Sequence, residues 1–236
     1  MITQAHTGTT AARLGLLGGF TCRLGDDEVR LAPTAERVVA YLALARRRVR
    51  RHELAGTLWP QDPDRQGLTR LRTVLWKVPS PVRAALVCVD AGTVGLHPAA
   101  AVDLYALDRD ADEAAETDLL ARGELLPGWS DDWVLVERAR HRQLHLHALE
   151  DRSASCCREG RYADALRFGL EAVAQEPLRE SARRRVIEVH LAEGNAAETL
   201  AEYEAFRRLL RTELGLAPSP ALRDLVRPLL GRPADQ

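Results

Sequence analysis

The sequence predicts a mostly α-helical protein with a small β component. Its first part is predicted to be an N-terminal winged helix-turn-helix with flanking β-strands, and its second part a C-terminal domain of helical repeats. A basic amphipathic segment at 58–77 (LWPQDPDRQGLTRLRTVLWK) and a hairpin pattern shortly after it predict the first part. Two similar segments, EGRYADAL and EGNAAETL, lie 34 residues apart and predict the second part.

Charge is unevenly divided along the chain. Residues 1–104 hold 14 Arg/Lys and 9 Asp/Glu, a net charge of +5, whereas residues 105–236 hold 19 and 25, a net charge of −6. A basic front and an acidic back indicate two modules with different partners. We therefore predict a disordered tail at 1–12, a winged-helix domain at 13–104, a helical domain at 105–231 and a second tail at 232–236.

The front module is predicted to begin with strands, because residues 14–32 alternate short apolar runs with glycines and an Asp-Asp turn. Two helices follow. Thr34 is the predicted N-cap of the first helix, which continues to about Arg46. The second helix begins near Arg51 and ends at Trp59, because the proline that follows cannot continue a helix.

The basic segment is predicted to form the third helix, with Asp62 as N-cap and Pro63 at the first helical position. One apolar stripe docks on the other helices and consists of Leu68, Leu71, Leu75 and Val78. At about 100° per residue, the opposite side holds Gln66, Thr69, Arg70, Thr73 and Lys77. Arg72 and Trp76 are expected on the flank.

This polar side is the candidate DNA-reading surface. The last helix of a helix-turn-helix enters the major groove, and between Arg65 and Lys77 the sequence holds no acidic residue. The predicted base-contacting residues are Gln66, Thr69, Arg70 and Thr73. The solvated face of an ordinary surface helix would show a similar pattern, so the prediction of DNA binding also depends on the neighbouring elements.

Two further segments support DNA binding. Residues 86–96 (LVCVDAGTVGL) predict a hairpin that serves as the wing, with its tip at Ala91, Gly92 and Thr93. The run ARRRVRR at 45–51 is suited to phosphate contacts that do not depend on base sequence. The predicted backbone-contacting residues are Arg46, Arg47, Arg48, Arg50, Arg51, Arg72 and Lys77. A solvated loop would also explain any single arginine of this run.

The back module is predicted to contain helix pairs of the tetratricopeptide kind, which form protein-binding surfaces. A glycine marks the turn between the helices of each pair. The positions that favour small residues hold Ala165 and Ala172 in the first copy, and Thr199 and Phe206 in the second. Ser219 is predicted to cap the last helix, with Pro220 at its first position.

No pattern predicts catalysis, a metal or a cofactor. Glu137, His141 and His145 share one helix side with His147 nearby, but there is no HExxH order and no second ligand cluster. We therefore expect solvent-exposed histidines and no enzyme activity. A deep pocket with perturbed carboxylates or histidines would indicate the opposite. The sequence also shows no apolar run of membrane-spanning length and no secretory signal, so we expect a cytoplasmic, nucleoid-associated protein.

The chain resembles the Streptomyces antibiotic regulatory protein family of transcriptional activators. In the front module the resemblance is carried by LGLLGGF, YLAL, ELAGTLWPQDP and LRTVLWKV. In the back module it is carried by LLPGWSDDWVLVERARHRQL, GRYADAL, EPLRESA, HLAEGN and TELGLAPSPALRDL. These stretches cover about residues 13–230.

The resemblance implies an OmpR-type winged helix joined to a bacterial transcriptional activation domain. It further implies an activator that binds direct repeats in double-stranded promoter DNA as two protomers side by side. Such an activator contacts RNA polymerase holoenzyme through its sigma or alpha subunit and controls antibiotic biosynthesis genes. The recognition helix maps to 62–78 and the wing to 86–96. VPSPVRAAL differs from the family, and its prolines, Pro79 and Pro81, predict a shorter recognition helix.

An alternative function is a protein-interaction adaptor, in which the repeats bind a protein and the winged helix no longer binds DNA. The modest +5 charge of residues 1–104 keeps this alternative open. The absence of binding to any promoter fragment, even at low salt, would favour it.

Overall fold

The computed structural model of the 236-residue chain describes residues 11–108, 120 and 122–230. Its contacts divide the chain into two compact units, 1–141 and 142–236. The predicted fold class is confirmed: short strands and helices form the first unit, and helices form the described part of the second. Apart from residues 11 and 12, the predicted tails lie outside the described residues.

The elements are numbered in chain order. The strands are β1 (Ala12–Gly15), β2 (Thr21–Leu24), β3 (Asp27–Glu28), β4 (Val49–Arg50), β5 (Val87–Val89), β6 (Thr93–Leu96) and β7 (Ala101–Val102). The helices of the first unit are α1 (Pro33–Ala45), α2 (Arg51–Leu58), α3 (Asp64–Lys77), α4 (Ser80–Leu86) and a 3-10 turn (Asp103–Asp108). The remaining helices are α5 (Asp132–Arg158), α6 (Tyr162–Gln175), α7 (Glu180–Glu193), α8 (Ala196–Leu214) and α9 (Pro220–Leu230).

The N-terminal strands form a sheet in the order β3-β2-β1-β7, in which β7 runs parallel to β1. The alternating residues Ala12, Leu14 and Cys22 are buried, which accounts for the apolar pattern of these strands. Asp103 follows β7, and its carboxylate accepts hydrogen bonds from the backbone N–H groups of Leu16, at 2.9 Å, and Leu17, at 3.1 Å. The carboxylate therefore fixes the chain after β1 to the end of β7.

Two predicted helix caps are wrong. Pro33 is the first residue of α1 and no side chain caps this helix, so Thr34 is not its N-cap. α3 begins at Asp64, because Pro63 has an extended backbone (φ −55°, ψ 145°) and is itself the N-cap. A helix can begin with backbone turns alone, and proline supplies a fixed φ at this point. The carboxylate of Asp62 is consequently available to another partner.

A helix between the recognition helix and the wing was missed. α3 ends at Lys77, in agreement with the predicted effect of the prolines, but Pro81 lies in the first turn of α4, where its missing N–H costs no hydrogen bond. The guanidinium of Arg83 donates to the backbone carbonyls of Leu75, at 3.2 Å, and Trp76, at 3.3 Å. α4 thus satisfies carbonyls at the C-terminal end of α3 that the helix cannot pair itself.

Residues 125–133, which include the first two residues of α5, pack within the first unit. Leu17 pairs with Leu125 in an isolated β-bridge, and both leucines are buried. The ring centroid of Trp129 lies 6.2 Å from that of Phe20, and Trp133 meets Tyr41 edge-on at 5.2 Å. These contacts agree with the expectation that the two tryptophans are core anchors, since both are half-buried against the core.

The second unit shows the predicted repeat as helix pairs. Gly160 and Gly194, which are equivalent positions of the two copies, have left-handed φ angles of 74° and 81° at the turns between helices. All four predicted small positions are buried, including the large side chain of Phe206. Because α9 buries Leu222 and Val226 in the same cluster as Phe206, the apolar core of the second copy is closed by this last helix. The Ser219 hydroxyl accepts from the N–H of Leu222 at 3.2 Å, as a helix cap.

The expectation of exposed histidines is wrong for two of them. His141 and His145 are buried, and so is Leu149, which follows them on the same side of α5. Burial lowers the pKa of His145, and the carboxylate of Glu171 opposes this effect. In the part of the chain that the structure describes, no three His, Cys, Asp or Glu residues are grouped to hold a metal ion.

Over the described residues, every helix is too short or too polar to cross a bilayer.

Candidate nucleic-acid interface

The apolar side of α3 packs tightly against α2. Leu71 and Val74 are buried, and Leu68 and Leu75 are half-buried. A Cβ atom placed on Gly67 would lie 3.4 Å from the Cβ of Ala55, so α2 and α3 are in close contact at this point. The docking stripe holds the opposite side of α3 in a fixed orientation on the first unit.

All the predicted base-contacting residues lie on the exposed side of α3. Gln66, Thr69, Arg70 and Thr73 are exposed, and so are Arg72 and Lys77. Trp76 was expected on the flank, but its side chain is 77% exposed and it follows Thr73 by three residues on the same side. The spacing that placed the threonines could therefore have placed Trp76 with them.

The threonine hydroxyls are bonded within α3. Thr69 Oγ1 donates to the carbonyl of Arg65 at 2.9 Å, and Thr73 Oγ1 donates to the carbonyl of Thr69 at 2.9 Å. Each hydroxyl hydrogen is therefore used by the helix backbone four residues earlier. The threonines retain an accepting oxygen and a methyl group for an outside partner.

Arg70 is oriented by the loop that precedes the helix. Its Nη1 atom lies 3.2 Å from Asp62 Oδ2, and its guanidinium carbon lies 5.1 Å from the centroid of the Trp59 ring. Stacking on an aromatic ring and pairing with a carboxylate both reduce the rotamer freedom of an arginine. Arg70 is therefore held at the edge of the exposed side, next to the α2–α3 loop.

The arginine run and the wing are brought together by strand pairing. β4 belongs to a three-stranded sheet with the order β4-β6-β5, in which Val49 pairs with Val94 and Arg50 with Thr93. The N–H of Arg51 donates to the carbonyl of Gly92 at 3.1 Å. The predicted tip of the wing thus lies beside Arg50 and Arg51 rather than apart from the run.

Several arginines of this run have intramolecular partners. Arg47 pairs with Glu53, and hydrogen bonding from Arg47 lowers the pKa of the Glu53 carboxyl. Arg48 pairs with the carboxylate of Asp90, a wing residue that no sequence pattern singles out. The guanidinium of Arg46 lies 4.6 Å from the centroid of the Tyr105 ring. These pairs are largely exposed, so they exchange readily for pairs with phosphate.

A cleft of about 820 Å³ opens beside the run. It is lined by the backbone and side chains of α1, β6 and β7, by three arginines (Arg46, Arg47 and Arg48) and by His97 and Tyr105. Its lining contains no carboxylate. The three arginines therefore give this lining a positive charge.

A family model described as bacterial transcriptional activator domain matches residues 98–230. Among curated proteins, the chain is similar to regulatory protein AfsR of Streptomyces coelicolor, with 30% identity over 241 residues that cover 93% of this chain and 24% of the relative. Regulatory protein AfsR of Streptomyces griseus is 26% identical over 251 residues, which cover 96% of this chain and 26% of the relative. The chain spans about a quarter of the length of these relatives.

Among solved structures, the chain is similar to Mycobacterium tuberculosis EmbR in complex with a low-affinity phosphopeptide. The TM-score is 0.75 at 19% identity, and the match covers 95% of this chain and 66% of that one. At this identity the similarity supports the fold.

Proposed function

The chain belongs to the bacterial transcriptional activator domain family of transcription regulators, and from this premise we propose that it binds double-stranded promoter DNA in a sequence-specific manner and activates transcription. In this proposal α3 enters the major groove and the wing contacts the flanking backbone. The observation that carries it is the exposed side of α3, which holds polar and basic side chains and no acid between Arg65 and Lys77.

The contacts divide by chemistry. Gln66 and Arg70 carry N–H donors for the acceptor atoms of base edges, and Thr69 and Thr73 lie on the same exposed side of the helix. Phosphate contacts come from the arginines of the run together with Arg72 and Lys77. Arg50 at the end of β4 and Arg51 at the start of α2 lie beside the tip of the wing, so they supply the positive charge that residues 90–93 themselves lack. Each phosphate neutralised releases counterions, so the affinity falls steeply as salt rises.

The second unit is proposed to contact the transcription machinery. Stacked helix pairs form surfaces suited to binding proteins, and residues 142–236 hold 15 basic and 15 acidic residues, so no net positive charge draws this unit to DNA. We extend the proposal to RNA polymerase holoenzyme, through its sigma or alpha subunit, and to two protomers bound side by side on direct repeats. We also propose that the chain controls antibiotic biosynthesis genes and that it is located at the nucleoid. The domain bounds 13–104 and 105–231 belong to the same proposal.

Selection of bound duplexes from a random pool by the full chain tests the function. The proposal predicts an enriched motif with a direct repeat, and a binding constant for that motif that falls steeply between 50 and 200 mM salt, by a factor of about 10³ or more for six phosphate contacts. Failure to enrich any motif, together with no binding at low salt, would contradict it.

The adaptor function is kept as a second candidate because of one observation. The predicted DNA-contacting residues Arg47, Arg48 and Arg70 are each paired with a carboxylate of the chain itself. Such pairs reduce the positive potential available to DNA. If the adaptor is correct, the chain captures polymerase or another protein in the absence of DNA, and the random pool remains unselected.

A further inference from the structure

Trp76 is unusually exposed for a large apolar side chain. At 77% exposure it ranks above the other exposed large apolar side chains of the described residues, whose values lie between 45% and 68%. A tryptophan exposed to water lacks the favourable free energy that burial of its large apolar surface would provide, and tryptophans are enriched at contact surfaces. A partner that covers Trp76 would recover this burial.

Trp76 continues a line of apolar groups along α3. Thr69, Thr73 and Trp76 follow one another at spacings of four and three residues, so they lie on one side of the helix. Both threonine hydroxyls donate to helix carbonyls, which leaves the threonine methyl groups as the apolar chemistry available to a partner. We call these three residues the apolar strip.

Basic residues flank the apolar strip. Arg65, Arg72 and Lys77 are exposed on α3, and no acidic residue interrupts them. A surface of this kind complements a polyanion that presents apolar groups between two rows of negative charge. The major groove of DNA does so, because thymine carries a C5-methyl group there between the two phosphate backbones.

We propose that the apolar strip reads thymine C5-methyl groups, so that α3 selects its site partly by van der Waals contact at A·T pairs. Thr69 and Thr73 act through their methyl groups, and Trp76 acts through its indole ring. This proposal rests on the proposed function and specifies the chemistry of the base contacts, since hydrogen bonds donated by the threonines are already used within the helix.

The first arm of the test changes the DNA alone. The full chain selects a duplex from a random pool, and each thymine of the selected motif is then replaced by deoxyuridine, which removes the methyl group and leaves every hydrogen-bonding atom. At thymines that meet the apolar strip, the affinity falls about fourfold per methyl group, as expected for one buried methyl. At thymines outside the strip it does not change.

The second arm changes the protein at the same contact. T73S removes the methyl group and keeps the hydroxyl, whereas T73V keeps the methyl group and removes the hydroxyl. We expect T73S to bind the thymine duplex about fourfold more weakly. T73V should bind as the wild type does. On the matching deoxyuridine duplex the two variants and the wild type should bind equally, because the contact is already lost.

Trp76 is tested by W76F and W76A, whose thermal unfolding should match that of the wild type because the side chain is exposed. We expect W76F, which keeps an aromatic ring, to keep most of the affinity for the selected duplex. W76A should lose that affinity and select a motif that differs at one position.

The outcomes separate this inference from the proposed function. A wild-type chain that enriches no motif overturns both. A motif without thymine, or one whose deoxyuridine duplexes bind as tightly as the thymine duplexes, overturns the inference and leaves DNA binding standing. Self-association that W76A abolishes, with unchanged DNA binding, overturns it as well and assigns the strip to a second copy of the chain.

Discussion

Arginine has different tasks in two regions of the chain, the proposed DNA-facing part of the first unit and the contact of Arg179 with α5 in the second. In the first unit Arg47, Arg48 and Arg72 are exposed, and the pairs that Arg47 and Arg48 form with carboxylates are open to water. In the second unit Arg179 is only 17% exposed at its side chain and lies 2.5 Å from the carboxylate of Glu150, which is 6% exposed. One residue type thus provides exchangeable charge in the arginine run and internal structure at the contact between Glu150 and Arg179.

The partners of the buried pair explain the difference. Glu150 lies on α5 and also accepts a hydrogen bond from the Ser181 hydroxyl at 2.7 Å, so its charge is satisfied from two directions. Arg183 on α7 similarly pairs with Glu202 on α8, where both side chains are largely buried. Exposed pairs contribute about 0–1 kcal/mol to stability, whereas loss of one partner of a buried pair leaves an uncompensated charge. Burial, and not residue type, therefore decides whether an arginine stabilises the fold or remains available to a ligand.

The largest effect that this comparison predicts is on stability. R179A leaves the buried Glu150 carboxylate with the Ser181 hydroxyl, and we expect it to lower the free energy of unfolding by about 3 kcal/mol. The matched control is R184A, because the Arg184 side chain is 51% exposed and its pair with Glu188 lies within one helix. We expect it to cost less than about 0.5 kcal/mol. Urea unfolding of both variants checks this, and equal losses would remove the distinction between buried and exposed pairs.

The next effect concerns DNA specificity. R70A should weaken binding to the selected site by about 1–3 kcal/mol and relax the preference at one base pair. R70K is the control, because lysine keeps the charge but cannot form the bidentate hydrogen bonds that the planar guanidinium of arginine forms with a base. Competition binding with specific and random duplexes measures both variants. An equal loss on the two duplexes would mean that Arg70 serves the backbone, or the Asp62 and Trp59 contacts, rather than a base.

A smaller effect is expected at the edge of the wing. R50A removes one phosphate contact, so the slope of log affinity against log salt should become shallower by about 0.9. The relative loss should be the same for every duplex sequence, and the free energy of unfolding should remain within about 0.5 kcal/mol of the wild type. A loss confined to one sequence would move Arg50 from backbone contact to base contact.

The smallest effect should have the opposite sign. D90N removes the carboxylate that pairs with Arg48, so more positive charge faces the DNA. At low salt we expect the affinity to rise about twofold, since exposed pairs are weak, and the gain should vanish near 1 M salt. Anisotropy titrations at two salt concentrations suffice. Weaker binding of D90N would show that Asp90 positions the wing instead of opposing the phosphates.

The sequence predicted those features that follow from periodicity. The spacing of Leu71 and Val78 oriented α3, and the 34-residue offset placed Gly160 and Gly194 at equivalent turns. It also placed Gln66, Thr69 and Thr73 on the exposed side, because their positions depend only on the rise and twist of one helix.

Features that depend on tertiary contacts were not predictable in the same way. The pairing of Arg70 with Asp62 requires the loop geometry that Pro63 sets, and the pairing of Arg48 with Asp90 requires β4 to join the wing sheet. The burial of His145 depends on the helix that packs against it, which the pattern of α5 alone does not reveal. Local periodicity orients a side chain relative to its own element, whereas its partner is determined by the fold.

Site-specific cross-linking compares the two units most directly. A photoreactive amino acid replaces Gln66 on α3 in one protein and Leu170, an exposed residue of α6, in another, and each full chain is irradiated with a pool of promoter duplexes. The account predicts DNA adducts from position 66 that decline as salt rises, and none above background from position 170. Adducts from position 170 alone, or none from position 66 at low salt, would contradict the assignment of the DNA interface to α3.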